Sequence, residues 1–193
     1  MNNSLKETQL IILAAGDGGR MGGVNKCLLQ IQGKSILDYY RDKFQNIVLV
    51  IGYNHQELIK HLNGTAYVIN TEWESTNSAY SLKLALERNS GDSIIVDGDT
   101  LFLGEIDRDG FYCCRPEYHF FSPQNTFEKC SALQFIGIAR TSEAENLRYL
   151  KDFSEKNANN YWCEIYKDIK IVETKDKWFE IDTWGDYKIA VQE

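Results

Sequence analysis

The sequence predicts an α/β protein whose core is a mixed, mainly parallel sheet flanked by helices. Three observations carry that reading. Short, nearly continuous apolar runs recur at 10–15, 46–52, 66–70 and 93–99, the pattern of strands buried on both faces. Amphipathic segments of helical period lie between them. Glycines, an asparagine and paired aspartates gather where these runs end, and in an open α/β sheet those carboxyl ends are where ligands collect.

Taken in order, "LIILAA" (10–15) is the first strand and runs straight into a glycine-rich loop. "SILDYYRDKF" reads as a helix because Ile36, Leu37, Tyr40 and Phe44 share one face. "NIVLVIG" (46–52) ends at Gly52-Tyr53 and "AYVIN" (66–70) at Asn70. "SAYSLKLALER" is the next helix, with Ala79, Leu82, Ala85 and Leu86 on its apolar face. "SIIVDGD" (93–99) closes the βαβ rhythm on Asp97-Gly98-Asp99. Beyond Asp99 the alternation loosens. Strands are expected at 132–139 ("ALQFIGIA"), 169–173 and 178–182, and helices near 141–153 and at the C-terminus, as a mixed extension of the sheet.

Composition narrows the function class. The 193 residues, 43% hydrophobic, suffice for one substantial core, so a single domain over 1–193 is expected. The opening "MNNSLKETQ" is polar, and no apolar run approaches the ~18 residues of a membrane span, which predicts a soluble cytoplasmic protein. Five cysteines (Cys27, Cys113, Cys114, Cys130, Cys163) are odd in number and lack CxxC spacing, so they read as free thiols. A net charge of −7 without a basic block argues against nucleic acid as partner and favours small molecules. His55, His61 and His119 have no metal spacing, and no GxSxG motif supports hydrolase chemistry.

The loop "AAGDGGRMGGVNK" is the sharpest local signal. A dinucleotide fingerprint starting at Gly16 requires glycine where Met21 stands, and a P-loop ending in Gly33-Lys34-Ser35 requires glycine where Leu28 stands. What remains is a strand followed by a flexible turn whose N–H groups can cradle phosphate oxygens. Arg20 and Lys26 add positive charge, the first as a fork and the second as a mobile point charge.

"LAAGDGGRMGGVNK" resembles the LAAGxGxRM(x)nPK signature of the nucleotidyltransferases that join a nucleoside triphosphate to a phosphorylated small molecule, the sugar-phosphate and MobA-like superfamily. The resemblance runs from Leu10 to about Tyr187 and implies the Rossmann-like fold of nucleotide-diphospho-sugar transferases. Asn25 replaces the usual proline, a departure shared with the choline-phosphate cytidylyltransferase branch, and "INTEWESTNSAYSLKLAL" (69–86) is similar to that branch's N-(x)n-N-x-x-YSL segment. The resemblance therefore implies CTP as one substrate and a small phosphorylated acceptor as the other, with Mg²⁺ as cofactor.

Residue by residue, it implies that Leu13, Ala14, Ala15, Gly16, Asp17, Gly18 and Gly19 line the nucleotide and that Arg20 and Lys26 act on the phosphates. Asn77 and Ser78 open a helix where N–H groups and short side chains can read base or ribose, a role compatible with ordinary capping. Nucleotidyl transfer needs a divalent cation, and Mg²⁺ takes one or two carboxylates with water and phosphate. The family pattern assigns these to Asp99 and Asp182. Asp97 either contacts ligand or caps its loop, and Asp186 in "DTWGDY" reads as the capped start of the last helix. Among Trp73, Tyr80, Tyr161, Trp162, Trp184 and Tyr187, which fall in segments surrounding the acceptor in related enzymes, Trp162 and Trp184 are the preferred contacts for a cationic acceptor. Glu180 is the acidic candidate. A glycosyltransferase with a DxD motif would share Asp97 and Asp99 but has little use for the loop signature. A non-catalytic nucleotide-binding module has no need to retain Arg20, Lys26, Asp99 and Asp182 together.

Overall fold

The computed structural model describes residues 8–115 and 133–193. Its N-terminal half is β1 (Gln9–Ala14), the short hairpin β2 (Gln30–Ile31) and β3 (Lys34–Ser35), α1 (Ile36–Lys43), β4 (Ile47–Ile51), α2 (His55–Ile59), β5 (Ala66–Ile69), α3 (Ser78–Leu86) and β6 (Ser93–Asp97). There follow β7 (Thr100–Phe102), β8 (Gly110–Cys114), β9 (Gln134–Thr141), α4 (Glu143–Asp152), β10 (Ile171–Glu173), β11 (Trp178–Glu180) and α5 (Trp184–Gln192). The main sheet has seven strands in the order β10-β8-β9-β6-β1-β4-β5. β6, β1, β4 and β5 are mutually parallel, as is β10 beside β8, whereas β9 runs antiparallel to both neighbours.

β1 shows why a continuous apolar run is required at the centre. Alternate side chains leave opposite faces of a strand. Leu10 and Ile12 join one buried cluster with Ile36, Leu37 and Tyr40 of α1, while Ile11 and Leu13 join a second with Ala79, Leu82 and Leu86 of α3. Both faces are therefore covered, and each fully buried leucine or isoleucine contributes about 1.5–3 kcal/mol. The helices start where the sequence offers caps. The Ser35 hydroxyl accepts from the Asp38 N–H, and Ser142 with Glu145 and Thr183 with Asp186 form reciprocal capping boxes.

Three points differ from the sequence reading. The strand expected at 178–182 does not extend the main sheet. β11 pairs instead with β7 in a separate antiparallel ribbon, Trp178 opposite Phe102 and Glu180 opposite Thr100. β7 and β8 were not anticipated, because one is three residues long and the other, "GFYCC", lacks either simple period. The strand expected at 132–139 is Gln134–Thr141. Cys27 and Cys113 are buried thiols, the buried Cys114 sulfur accepts from the Trp178 indole N–H and Cys163 is partly buried, whereas Cys130 and His119 lie outside the described residues. Among the described residues, no helix is long and apolar enough to cross a membrane.

Candidate functional site

Because β1 lies between β4 and β6, the glycine loop leaves the sheet at its middle. Two neighbouring turns are stitched to it there, with the Gly98 N–H donating to the Leu13 carbonyl and the Tyr53 N–H to the Ala15 carbonyl. Gly98 permits this approach, since a Cβ there would stand 2.7 Å from the Leu13 oxygen. Within the loop, Gly18 adopts φ +59° and a Cβ on it would sit 2.4 Å from the Val24 oxygen, so glycine is required on both counts. The Asp17 carboxylate accepts from the Gly19 N–H at 3.0 Å and fixes the start of the 3₁₀ turn Gly19–Met21. Lys26 opens a second such turn, Lys26–Leu28.

These turns border an open cleft of about 860 Å³ at the carboxyl ends of the parallel strands. Residues 13–20 and Lys26 line it, as do Asn77 and Ser78 at the start of α3 together with Asn70, Trp73 and Thr76. Asp97 ends β6 and Asp99 follows in the turn to β7, and Glu180 and Asp182 arrive from the β11 ribbon. Of the residues that the sequence singled out for the site, all line the cleft but Tyr80, Trp184 and Tyr187.

The ion pairs give the cleft its centre. Lys26 Nζ lies 3.0 Å from Asp99 Oδ2 and 2.8 Å from Asp182 Oδ1, and Arg20 donates to the same Asp182 oxygen at 2.7 Å. Burial works against the Lys26 ammonium, yet Asp99 and Asp182 outweigh it and hold its pKa above the ordinary value. Asp182 is fixed from below, because Asp186, itself buried, accepts from the N–H groups of Asp182 and Thr183 while capping α5. The cap read from "DTWGDY" therefore also sets the backbone of a site carboxylate.

Two further carboxyl groups crowd Asp99 and Asp182. Burial and then the Asp99 carboxylate push Asp97 up to about 8, against the Trp162 indole N–H that donates to its Oδ1 at 2.8 Å. Burial, followed by Asp99, Asp182 and Asp97, raises Glu180 to about 8 as well. Among the described residues no three His, Cys, Asp or Glu side chains are disposed to share an ion. A cation here would have two carboxylates and otherwise water or phosphate, which is the habit of Mg²⁺.

The aromatic expectations need correction. Trp162 is 1% exposed and packed edge-on against Phe111, Phe135 and Tyr166, so its ring face is not offered to an acceptor. It holds Asp97 from beneath the cleft instead. Trp184 stands at the start of α5, where the chain has already turned away, and packs on Tyr187. Tyr80 and Tyr187 lie outside the cleft, bonded to Glu72 and to the Gln30 carbonyl. Tyr161, by contrast, is 61% exposed on the cleft wall, and Phe135 joins it from β9. Phe135 and Gln134 went unnoticed because a strand's face cannot be chosen from its sequence when the neighbouring strand is not recognised. The Asn25 Oδ1 and Gln134 Nε2 atoms, both in cleft-lining residues, are buried without a hydrogen-bond partner.

The fold is that of solved nucleotidyltransferases. CTP:phosphocholine cytidylyltransferase LicC from Streptococcus pneumoniae superposes with a TM-score of 0.72 at 20% identity, covering 96% of this chain and 98% of that one. HddC from Yersinia pseudotuberculosis, complexed with GMP-PN, gives 0.69 at 18% over 96% and 98%. The inositol-1-phosphate CTP transferase from T. maritima gives 0.67 at 20% over 96% and 95%. No curated protein sequence matches. The model of the MobA-like NTP transferase domain matches residues 10–108, the stretch holding the glycine loop, Arg20, Lys26, Asn77 and the Asp97–Asp99 turn. With that match spanning half the chain and those residues gathered on one cleft, the chain belongs to the MobA-like NTP transferase family.

Proposed function

We propose that the protein is a cytidylyltransferase that moves CMP from CTP to the phosphate or phosphonate oxygen of a small, phosphocholine-like acceptor and releases pyrophosphate. One observation carries this reading: Lys26, Asp99 and Asp182, which lie on three separate segments, converge within 3.0 Å at the edge of a glycine loop. That is the equipment of phosphoryl chemistry, in which positioning and charge neutralisation do most of the catalysis.

The donor set fits Mg²⁺. The two groups that meet the Lys26 ammonium are hard carboxylate oxygens, and the carboxyl groups of Asp97 and Glu180 line the same cleft. Asp99 and Asp182 would hold the ion, which when bound neutralises phosphate charge and polarises the α-phosphate. The chain's own groups do the rest. The loop and Arg20 seat the triphosphate, and Lys26 is close enough to steady its charge. The acceptor oxygen attacks the α-phosphorus, and the new P–O bond forms as the bond to the bridging oxygen breaks. That electron pair leaves with pyrophosphate. No general base is needed, because the nucleophile is already ionised.

Support for cytidine comes from Asn25 in the place of proline, from the short polar side chains Asn70, Thr76, Asn77 and Ser78 of the cleft lining, and from similarity in fold to a CTP:phosphocholine cytidylyltransferase and an inositol-1-phosphate CTP transferase. Support for a cationic acceptor comes from Glu180 and from the aromatic rings of Tyr161 and Phe135, all of which line the cleft. Pyrophosphate release should be measured for each nucleoside triphosphate against phosphocholine, 2-aminoethylphosphonate, an amino-acid phosphate and a sugar 1-phosphate, with products identified by mass. CTP with a cationic acceptor is expected to be fastest. Turnover of another triphosphate with a sugar phosphate, and none with CTP, would replace this reading with the sugar-phosphate one. Nucleotide binding without turnover on any acceptor would favour the non-catalytic module.

A further inference from the structure

The place between Asp99 and Asp182 already holds a positive charge. Lys26 Nζ donates to an oxygen of each, at 3.0 and 2.8 Å. Arg20 reaches only Asp182, and its side chain is 61% exposed against 14% for Lys26, so the ammonium is the inner of the two cations. A divalent ion shared by both carboxylates and an ammonium bonded to both cannot occupy this gap together, because like charges repel strongly where water screens them little. One must yield to the other. Lys26 is also tethered, at the first position of the turn that follows the glycine loop. When it releases the carboxylates, the anion within its reach is one seated on that loop.

We infer that Lys26 is the resident counterion of the Asp99–Asp182 pair, and that a divalent cation enters as the lysine is transferred to the nucleotide's phosphates. Without nucleotide, an entering cation must displace two charge-assisted hydrogen bonds and leave the ammonium unpaired in a partly buried site. With nucleotide, the phosphate oxygens receive it. Cation and nucleotide affinities are therefore linked, each strengthening the other by the same factor. The nucleotidyl-transfer reading is needed only for the identity of the anion; the competition between lysine and cation stands on the ion pairs alone.

Mn²⁺ is the probe, read by electron paramagnetic resonance and by the shift it causes in the thermal midpoint, with α,β-methylene-CTP as an unreactive nucleotide. Because nucleotides chelate Mn²⁺ themselves, the decisive measurement is Mn²⁺ binding in their absence. Lys26→Met is expected to bind Mn²⁺ alone at least tenfold more tightly than wild type and to gain thermal stability from it, while its affinity for the analogue falls at least tenfold. Arg20→Met, which leaves the gap occupied, is expected to gain less Mn²⁺ affinity than Lys26→Met. Lys26→Gln, which keeps a hydrogen-bond donor without the charge, serves if the methionine variant does not melt cooperatively. Unchanged or weaker Mn²⁺ binding in a folded Lys26 variant overturns the inference. Wild type that fails to bind the analogue at any Mn²⁺ concentration overturns the CTP reading instead, and the Mn²⁺-only measurement still decides the role of the lysine.

Discussion

The parallel block β6-β1-β4-β5 and the antiparallel region from β7 onward contribute to one cleft in opposite ways. In the parallel block each strand ends at the same edge, so the glycine loop, Tyr53, Asn70 and Asp97–Asp99 are delivered side by side by topology alone. In the second region, direction alternates and the chain reaches the cleft through a two-stranded ribbon and a 3₁₀ turn, bringing Glu180, Asp182 and Trp162. The first region brings the glycine loop and the Asp97–Asp99 turn to the cleft, and the second brings Glu180, Asp182 and Trp162. The family match, which ends at residue 108, covers the first region and reaches only β7 of the second.

The largest effect tests whether the two regions form one centre. Asp99→Ala removes a carboxylate of the first and Asp182→Ala one of the second. Each is expected to lower pyrophosphate release by roughly 10³-fold or more, since each costs several kcal/mol of charge stabilisation in the transition state. A mild loss in Asp182→Ala alone would confine the chemistry to the parallel block. Next comes the seam between the regions. Trp162→Ala should destabilise the fold by about 3–5 kcal/mol as a buried aromatic is lost. Trp162→Phe keeps most of the packing and strips only the donor to Asp97, so chemical denaturation should show a smaller loss of about 1–3 kcal/mol. Equal losses would mean that the hydrogen bond, rather than the ring, joins the regions.

A pH comparison sharpens the same seam. In metal-free protein Asp97 is held at about 8, mainly by burial and then by Asp99, whereas an unfolded chain ionises it near ~4. Because the folded value is the higher, the neutral carboxyl's contribution is complete below the unfolded value and is lost as pH rises through the folded one. Asp97→Asn keeps an acceptor for the indole without that loss. With chelator present, its thermal midpoint should stand further above that of wild type at pH 8 than at pH 5. A constant gap would show that Asp97 is already ionised at pH 5 in the folded protein, as in the unfolded chain, and that its pKa is not raised. The smallest effect is expected from Trp184→Ala, off the cleft, with stability within about 0.5 kcal/mol of wild type and unchanged acceptor affinity. A large rise in KM for the acceptor would return Trp184 to the site and redraw the second region.

What could be read without the fold was local. The apolar runs of β1, β4, β5 and β6, the faces of α1 and α3, the failure of Met21 and Leu28 to fit the two better-known phosphate loops, and the cap at Thr183-Asp186 all follow from short-range periodicity and spacing. The aromatic residues show the limit. Trp162 and Trp184 are equally plausible as sequence, but one is sealed beneath the cleft and the other faces away from it, while Tyr161 and Phe135 line the wall. Exposure is a property of what packs around a ring, and a sequence window does not contain those neighbours.

By itself the sequence determined the parallel core and the loop that leaves it, because strand burial and turn chemistry depend on residues within a few positions of one another. Only the tertiary structure decided that Lys26 lies between Asp99 and Asp182, 73 and 156 residues away along the chain. It also decided that burial and the neighbouring carboxylates raise Asp97 and Glu180 beside that pair. Coulombic interaction depends on distance through space, and the β7–β11 ribbon that sets those distances is assembled by pairing between segments far apart in the chain.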